Sequence, residues 1–284
     1  MTTLNQKAER AGIDAGEIVK NLNLGKSTVY AILNGNYRGK KEVKEAVEEY
    51  IEERFVRINV FETLDQKVFM KGLEFALNDK EFSAISGPTG IGKTHVCKEF
   101  AYENEKVIYY KVVEGIGWKS TLGDISRLLA RSEHGTCSDM MHNIMDAIKT
   151  SGVKMLIIDE VEHLFKQNHR GRFLERIAFF REIHEYCGIG VVIVGLDILE
   201  SELRYASKTY ITNRIDCLMK GDPADVKDLR EFWIKILGMP ADTTAEAVFL
   251  KAKERGNFRI LVKLAEKAKA MGGRVDAALN FVFI

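Results

Sequence analysis

The run Gly87-Pro88-Thr89-Gly90-Ile91-Gly92-Lys93-Thr94 constrains this chain more than any other stretch of it. It fits the spacing G-x-x-x-x-G-K-[ST] in full, and each residue type has a physical reason to be there. Glycines let the backbone curl until successive N–H groups point inward at the oxygens of a phosphate. A helix beginning near Lys93 adds the positive end of its dipole. Lys93 supplies a cation for β- and γ-phosphates, and the Thr94 hydroxyl is suited to Mg2+. Strand-like Phe82–Ser86 runs directly into the loop, and helix-like His95–Glu103 leaves it.

That strand needs neighbours, and the sequence supplies them. Short apolar runs at Phe82–Ser86, Val107–Val113, Met155–Ile158, Val191–Val194 and Ile215–Met219 read as buried strands, with helical patterns between them. Alternation of this kind implies a parallel sheet covered by helices on both faces. Ligands of such sheets sit at the carboxyl ends of the strands. The chain divides into three sections: residues 1–57 read as short helices, 58–220 as the α/β section, and 221–284 as helices only, with Gly221-Asp222-Pro223 marking the second boundary.

One more strand ends in chemistry. Met155–Ile158 is followed at once by Asp159 and Glu160. Downstream of a complete phosphate loop, Asp159 is expected to hold Mg2+ through its water shell, and Glu160 to orient and activate an attacking water. The second carboxylate favours hydrolysis of ATP over binding alone.

Composition narrows the partners. A net charge of +1 over 284 residues argues against a uniformly basic nucleic-acid binder, but it leaves room for a local basic face. No apolar run approaches the roughly 20 residues needed to span a bilayer, and the N-terminus carries no signal pattern, so a cytoplasmic protein with no membrane role is expected. Cys97, Cys137, Cys187 and Cys217 are scattered and read as reduced thiols. His134, Cys137 and His142 do not match a zinc spacing.

The two motifs, the strand Val107–Val113 between them and the helical C-terminal section resemble the AAA+ ATPases. The resemblance implies an α/β fold with a helical C-terminal lid. It gives Arg259, in Gly256-Asn257-Phe258-Arg259-Ile260-Leu261, the place of a residue folded over the γ-phosphate. It gives Arg214, in Thr212-Asn213-Arg214-Ile215, the place of an arginine finger reaching a neighbouring subunit's nucleotide, with Arg204 as the rival. The family's polar residue at the end of the strand beside the Asp-Glu strand is replaced by Gly195-Leu196-Asp197, so Asp197 substitutes for it or the role is vacant, and slow hydrolysis follows. The order of parts is most similar to the target-selection ATPases of transposons. That resemblance implies an ATP-dependent homo-oligomer, ring or helical filament, on duplex DNA, with a transposase as partner. A helicase- or replication-loader ATPase shares every motif. A non-hydrolysing, ATP-sensing regulator is the third reading, and Glu160 and Arg214 count against it.

DNA contacts are expected in two regions. Near the N-terminus, Ala15–Asn21, a turn at Leu22–Gly25 and Lys26–Leu33 read as a helix-turn-helix. Lys26, Ser27, Thr28 and Tyr30 would open its second helix, where base and phosphate contacts are made. Arg38, Lys40 and Lys41 would hold backbone phosphates, and the acidic segment Glu42–Phe55 would face away. A protein-docking module is the alternative. In the α/β section the basic loops are Lys111–Lys119, with Trp118 and Lys119, and Lys166–Arg172, with Lys166, Arg170 and Arg172, where Gly171 is read as breaking a helical pattern.

Overall fold

The computed structural model of the chain describes residues 4, 5, 8, 13–59, 63–164, 170–206, 215–239 and 243–282. They fall into two compact units. One joins the described residues up to 59 with those from 231 to 239; the other holds those of 63–230 and 243–282. A short piece of the third sequence section, from residue 231, thus belongs with the first.

In the smaller unit, α1 (Ala15–Leu22), α2 (Lys26–Leu33) and α3 (Lys41–Asn59) follow one another. Asp14 caps α1 by accepting the Glu17 N–H at 2.8 Å, and Asn23 ends it in the left-handed region at φ 50°. Ile18, Val29, Ile32, Leu33, Val47 and Ile51 share one small core. The acidic segment is indeed helical, and its Tyr50 hydroxyl donates to Glu17 Oε1 at 3.0 Å, tying α3 to α1. A π-helical turn, Phe232–Ile236, completes the unit with Trp233 fully buried.

The larger unit is built on a five-stranded parallel sheet in the order β2-β3-β4-β1-β5. The strands are β1 (Phe82–Ser86), β2 (Val107–Lys111), β3 (Met155–Asp159), β4 (Gly190–Gly195) and β5 (Cys217–Lys220). Alternating side chains go to opposite faces, as the pleat requires. Leu156, Ile158, Val191 and Ile193 join one core, with α6 (Trp118–Leu128), α7 (Cys137–Ser151), α8 (Arg170–Cys187) and α9 (Asp197–Ala206). Met155, Ile157, Val192 and Val194 join the other, with α4 (Leu64–Asn78) and α5 (Lys93–Glu103). The sequence continues through α10 (Val226–Glu231) to α11 (Thr243–Arg255), α12 (Asn257–Ala270) and α13 (Val275–Val282). No helix among the described residues is long and apolar enough to cross a membrane.

Several readings of element ends change, β3 and β4 among them, which run to Asp159 and over Gly190–Gly195. β2 stops at Lys111 rather than Val113, because its partner β3 ends at Asp159 and Glu160 turns away at φ 55°. β5 begins at Cys217 rather than Ile215: the Asp216 carboxylate takes the Phe82 N–H at 2.8 Å, so the strand ladder starts two residues later than read. Gly171 does not interrupt a helix, since α8 already begins at Arg170.

The sheet meets α4 closely at Gly190. A methyl placed there would lie 2.0 Å from the Ala76 carbonyl oxygen, and backbone cannot step aside as a side chain can. Gly190→Ala is therefore expected to destabilise the fold by about 1–3 kcal/mol through overpacking. Thermal unfolding followed by circular dichroism checks this; an unchanged midpoint contradicts it.

Candidate nucleotide site

β1 delivers the chain to the loop with its last side chain already committed: the Ser86 hydroxyl donates to the Leu196 carbonyl at the end of β4, at 3.2 Å. The loop then needs glycine at two points. Gly90 has φ 80°, and a methyl on it would lie 2.0 Å from the Gly256 carbonyl oxygen. Gly92 has φ 101°, and a methyl on it would lie 2.3 Å from Gln66 Nε2. Both positions combine a left-handed backbone with a close neighbour, so no other residue type fits. Gln66 is itself fixed by a capping box with Thr63 at the start of α4. Gly92 caps α5 without any side-chain hydrogen bond, which leaves the leading N–H groups of that helix to an incoming anion.

Lys93 is 8% exposed and folds back over the loop, donating to the carbonyls of Gly87 at 2.6 Å and Pro88 at 2.8 Å. Burial pulls its ammonium below the ordinary value, while the carboxylates of Glu162, Asp159 and Asp197 oppose that shift. The Arg259 guanidinium adds to the depression, so both cations act on the same space. No ion pair of Arg259 occurs among the described residues, and its side chain is exposed. Ile91 is buried on the sheet side, so it offers the site its backbone only.

Asp159 is 1% exposed and accepts two hydroxyls on one oxygen, Thr94 Oγ1 at 2.7 Å and Tyr109 Oη at 2.7 Å. Burial and the adjacent carboxylate push the Tyr109 phenol far above its ordinary range, which keeps it a proton donor. A hydroxyl and a carboxylate oxygen in contact are a hard donor set of the kind Mg2+ takes alongside phosphate and water. Glu160 points elsewhere. Its carboxylate meets Lys111 Nζ at 2.8 Å and His163 Nε2 at 3.3 Å, while its N–H donates to Asp159 Oδ1 at 2.8 Å.

The loop, Lys93, Asp159 and Glu160 all lie within residues 76–203, which match the AAA domain family. This segment is an AAA domain. Across 92% of its length the chain is 26% identical to 89% of the Mu-like prophage FluMu DNA transposition protein B of Haemophilus influenzae. The chain thus carries an AAA domain and is similar over nearly its whole length to a transposition protein B. Its fold is similar to that of the Aeropyrum pernix ORC2 protein, solved in ADPNP-ADP complexes, with a TM-score of 0.51 and 17% identity. That match covers 77% of this chain and 65% of the other, just under two thirds. AMPPCP-bound DnaA from Aquifex aeolicus gives a TM-score of 0.51 at 16% identity, covering 79% of this chain and 67% of the other. The AAA domain accounts for the loop and the acidic pair; Gln66, Asn257 and Arg259 reach the same site from outside the matched segment.

The remaining candidates divide. Asp197 opens α9 and is exposed within the field of Lys93. Arg214 and Lys166 lie outside the described residues, as do the side chains of Arg204, Arg170 and Arg172. Lys26, Ser27, Tyr30, Arg38, Lys40 and Lys119 are exposed, and Thr28 is half-buried. Trp118 is not a free stacking platform: it starts α6 and packs edge-on against Phe179 and Phe180, with ring centroids 5.7 and 5.9 Å away.

Sequence reasoning missed Glu162. It sits on the 3-10 turn Val161–Leu164 after the acidic pair and heads the carboxylates acting on Lys93. Its Oε2 accepts the Leu196 N–H at 3.3 Å, and burial raises its carboxyl above the ordinary 4.5. A folded-state pKa above the unfolded one means that the folded state binds the proton more tightly. Stability from this group is therefore full below 4.5 and is lost as pH rises through the folded-state value. Glu162→Gln is expected to raise the melting temperature of the AAA domain at neutral pH, with the gain vanishing below pH 4.5. Melting curves of both proteins across pH decide it; a gain that grows on acidification contradicts the assignment.

Proposed function

We propose that this AAA+ ATPase binds ATP with Mg2+ at the loop Gly87–Thr94, hydrolyses it, assembles on duplex DNA and regulates target choice for a transposase. The convergence of Lys93 and Arg259 on one space, beside the Thr94–Asp159 pair, carries the nucleotide reading. Two cations and a ring of backbone N–H groups call for a polyanion there. The name of the Haemophilus relative, a DNA transposition protein, supports the DNA and transposase part.

The chain's own residues divide the work. Lys93 leaves the Gly87 and Pro88 carbonyls for the β- and γ-phosphates. Thr94 and Asp159 would hold Mg2+, which would supply neutralisation of phosphate charge. Glu160, once released from Lys111 and His163, orients a water and accepts its proton as the water oxygen bonds to the γ-phosphorus and the bond to the β–γ bridging oxygen breaks. The products are ADP and inorganic phosphate. Arg259 stabilises the charge on the phosphoryl group, and Arg214 does so from a neighbouring subunit.

Lys93→Ala is expected to abolish tight ATP binding. Glu160→Gln is expected to keep ATP binding and to lower turnover by about a hundredfold or more, the scale of a lost general base. Equilibrium nucleotide titration and steady-state phosphate release check both, and full turnover in Glu160→Gln removes that residue from the mechanism.

Assembly follows from charge. A chain of net charge +1 grips DNA weakly as a monomer, because few Lys and Arg contacts release few counterions. Lys26, Arg38, Lys40, Lys119, Lys166, Arg170 and Arg172 gain strength by repetition along the duplex, through multivalency. Head-to-tail stacking through ATP gives rings or helices. Sedimentation and electron microscopy with ATP, ADP or no nucleotide, each with and without duplex DNA, are expected to show large assemblies with ATP and DNA and none with ADP. A monomer under every condition refutes the assembly.

A further inference from the structure

The junction between α11 and α12 is a single residue, Gly256, and the residue after it stands in an unusual conformation. Asn257 has φ 50° and is 2% exposed. A non-glycine residue pays for a left-handed backbone, and asparagine pays least when its amide finds partners. Here it finds two. Its Oδ1 accepts the N–H of Ala224 at 2.8 Å, and its Nδ2 donates to the carbonyl of Thr89 at 3.0 Å. Ala224 lies in the connection that follows β5, and Thr89 lies in the phosphate loop itself. The contact is continued by its neighbours: the Phe258 N–H donates to the Gly90 carbonyl at 3.2 Å, and the Gly256 carbonyl crowds Gly90 so closely that a methyl there would lie 2.0 Å away. Arg259 follows two residues later, with its Cβ 3.2 Å from that same hypothetical methyl.

We propose that Asn257 is a positioning residue of the ATP site, locking the first turn of α12 onto Thr89 and Gly90 and thereby fixing where Arg259 stands against the terminal phosphate. Because the amide donates to one segment and accepts from another, it holds three parts of the chain at once: the loop, the connection after β5 and the start of α12. Arg259 is long and exposed, so its direction is set by the turn that carries it and not by packing of its own. The left-handed backbone is what aims the Asn257 amide at both partners; an alanine there would lose the bonds and keep the strain. The inference rests on the reading of this loop as an ATP site.

The test uses the full chain and four variants: Asn257→Gly, Asn257→Asp, Arg259→Ala and the double variant Asn257→Gly/Arg259→Ala. Glycine tolerates the positive φ and removes both hydrogen bonds. Aspartate keeps the acceptor for Ala224 and removes the donor to Thr89, so it reports on the loop contact should the glycine variant fail to fold. Affinities for ATP and ADP are measured by equilibrium titration, beside melting temperatures. Asn257→Gly and Asn257→Asp are expected to weaken ATP by about tenfold, the scale of a lost buried hydrogen bond, and ADP by clearly less. The double variant is expected to bind ATP no worse than Arg259→Ala alone, since both changes remove one device. Wild-type affinities for ATP and ADP in a folded Asn257 variant overturn the proposal. So does an equal loss for both nucleotides, or losses from Asn257→Gly and Arg259→Ala that simply add. A wild-type chain that binds no ATP overturns the reading of the loop instead.

Discussion

The phosphate loop has no hydrogen-bonded ladder of its own, and the order of the site depends on what presses on it from outside. Gly87 is approached by the Gly221 carbonyl after β5, Gly90 by the Gly256 carbonyl, and Gly92 by the Gln66 amide. Three separate parts of the chain thus shape a curl of a few residues. Gly90 and Gly92 are needed twice over, once for the backbone angles and once because no side chain would fit between the loop and its supports; Gly87 is needed for the space alone. Pre-organisation of this kind lets the N–H groups face an anion without first being gathered.

The sheet contributes by bringing β1, β3 and β4 to a common carboxyl edge. Ser86 and Glu162 hold the carbonyl and the N–H of Leu196 from two sides, so the end of β4 is fixed relative to both the loop and the acidic turn. Asp159 and Glu160 are adjacent in sequence but engage different partners, because Glu160 takes a left-handed backbone where β3 ends. That divergence sets one carboxylate against the Thr94 and Tyr109 hydroxyls and the other against Lys111 and His163.

How much of this could be read from the sequence depends on how local the signal is. The loop Gly87–Thr94 and the pair Asp159–Glu160 are short, contiguous and preceded by apolar runs, so the five strands and the heart of the site were legible. Glu162, Tyr109, Gln66 and Asn257 were not. Each acts on the site through a partner distant in the chain: Tyr109 on Asp159 across 50 positions, Asn257 on Thr89 across 168. No spacing rule reaches that far. Strand ends were misread for a related reason. β2 stops where its neighbour stops, and β5 starts where the Asp216 carboxylate releases the ladder, and neither event is written in the strand's own residues. Gly171 looked like a breaker, yet a glycine in the first turn of a helix costs little, because that turn's N–H groups have no intrahelical partners in any case.

The smaller unit is made from two stretches of chain that are far apart in sequence, the N-terminal helices and residues from 231 to 239. During synthesis helices α1 to α3 leave the ribosome well before residues 231 to 239, with their own small core to hold them. At about 5–20 residues per second, they wait roughly 10–35 s before the stretch carrying Trp233 appears. By then every strand of the sheet has been made. The smaller unit is therefore completed only after the sheet that divides its two stretches in the sequence.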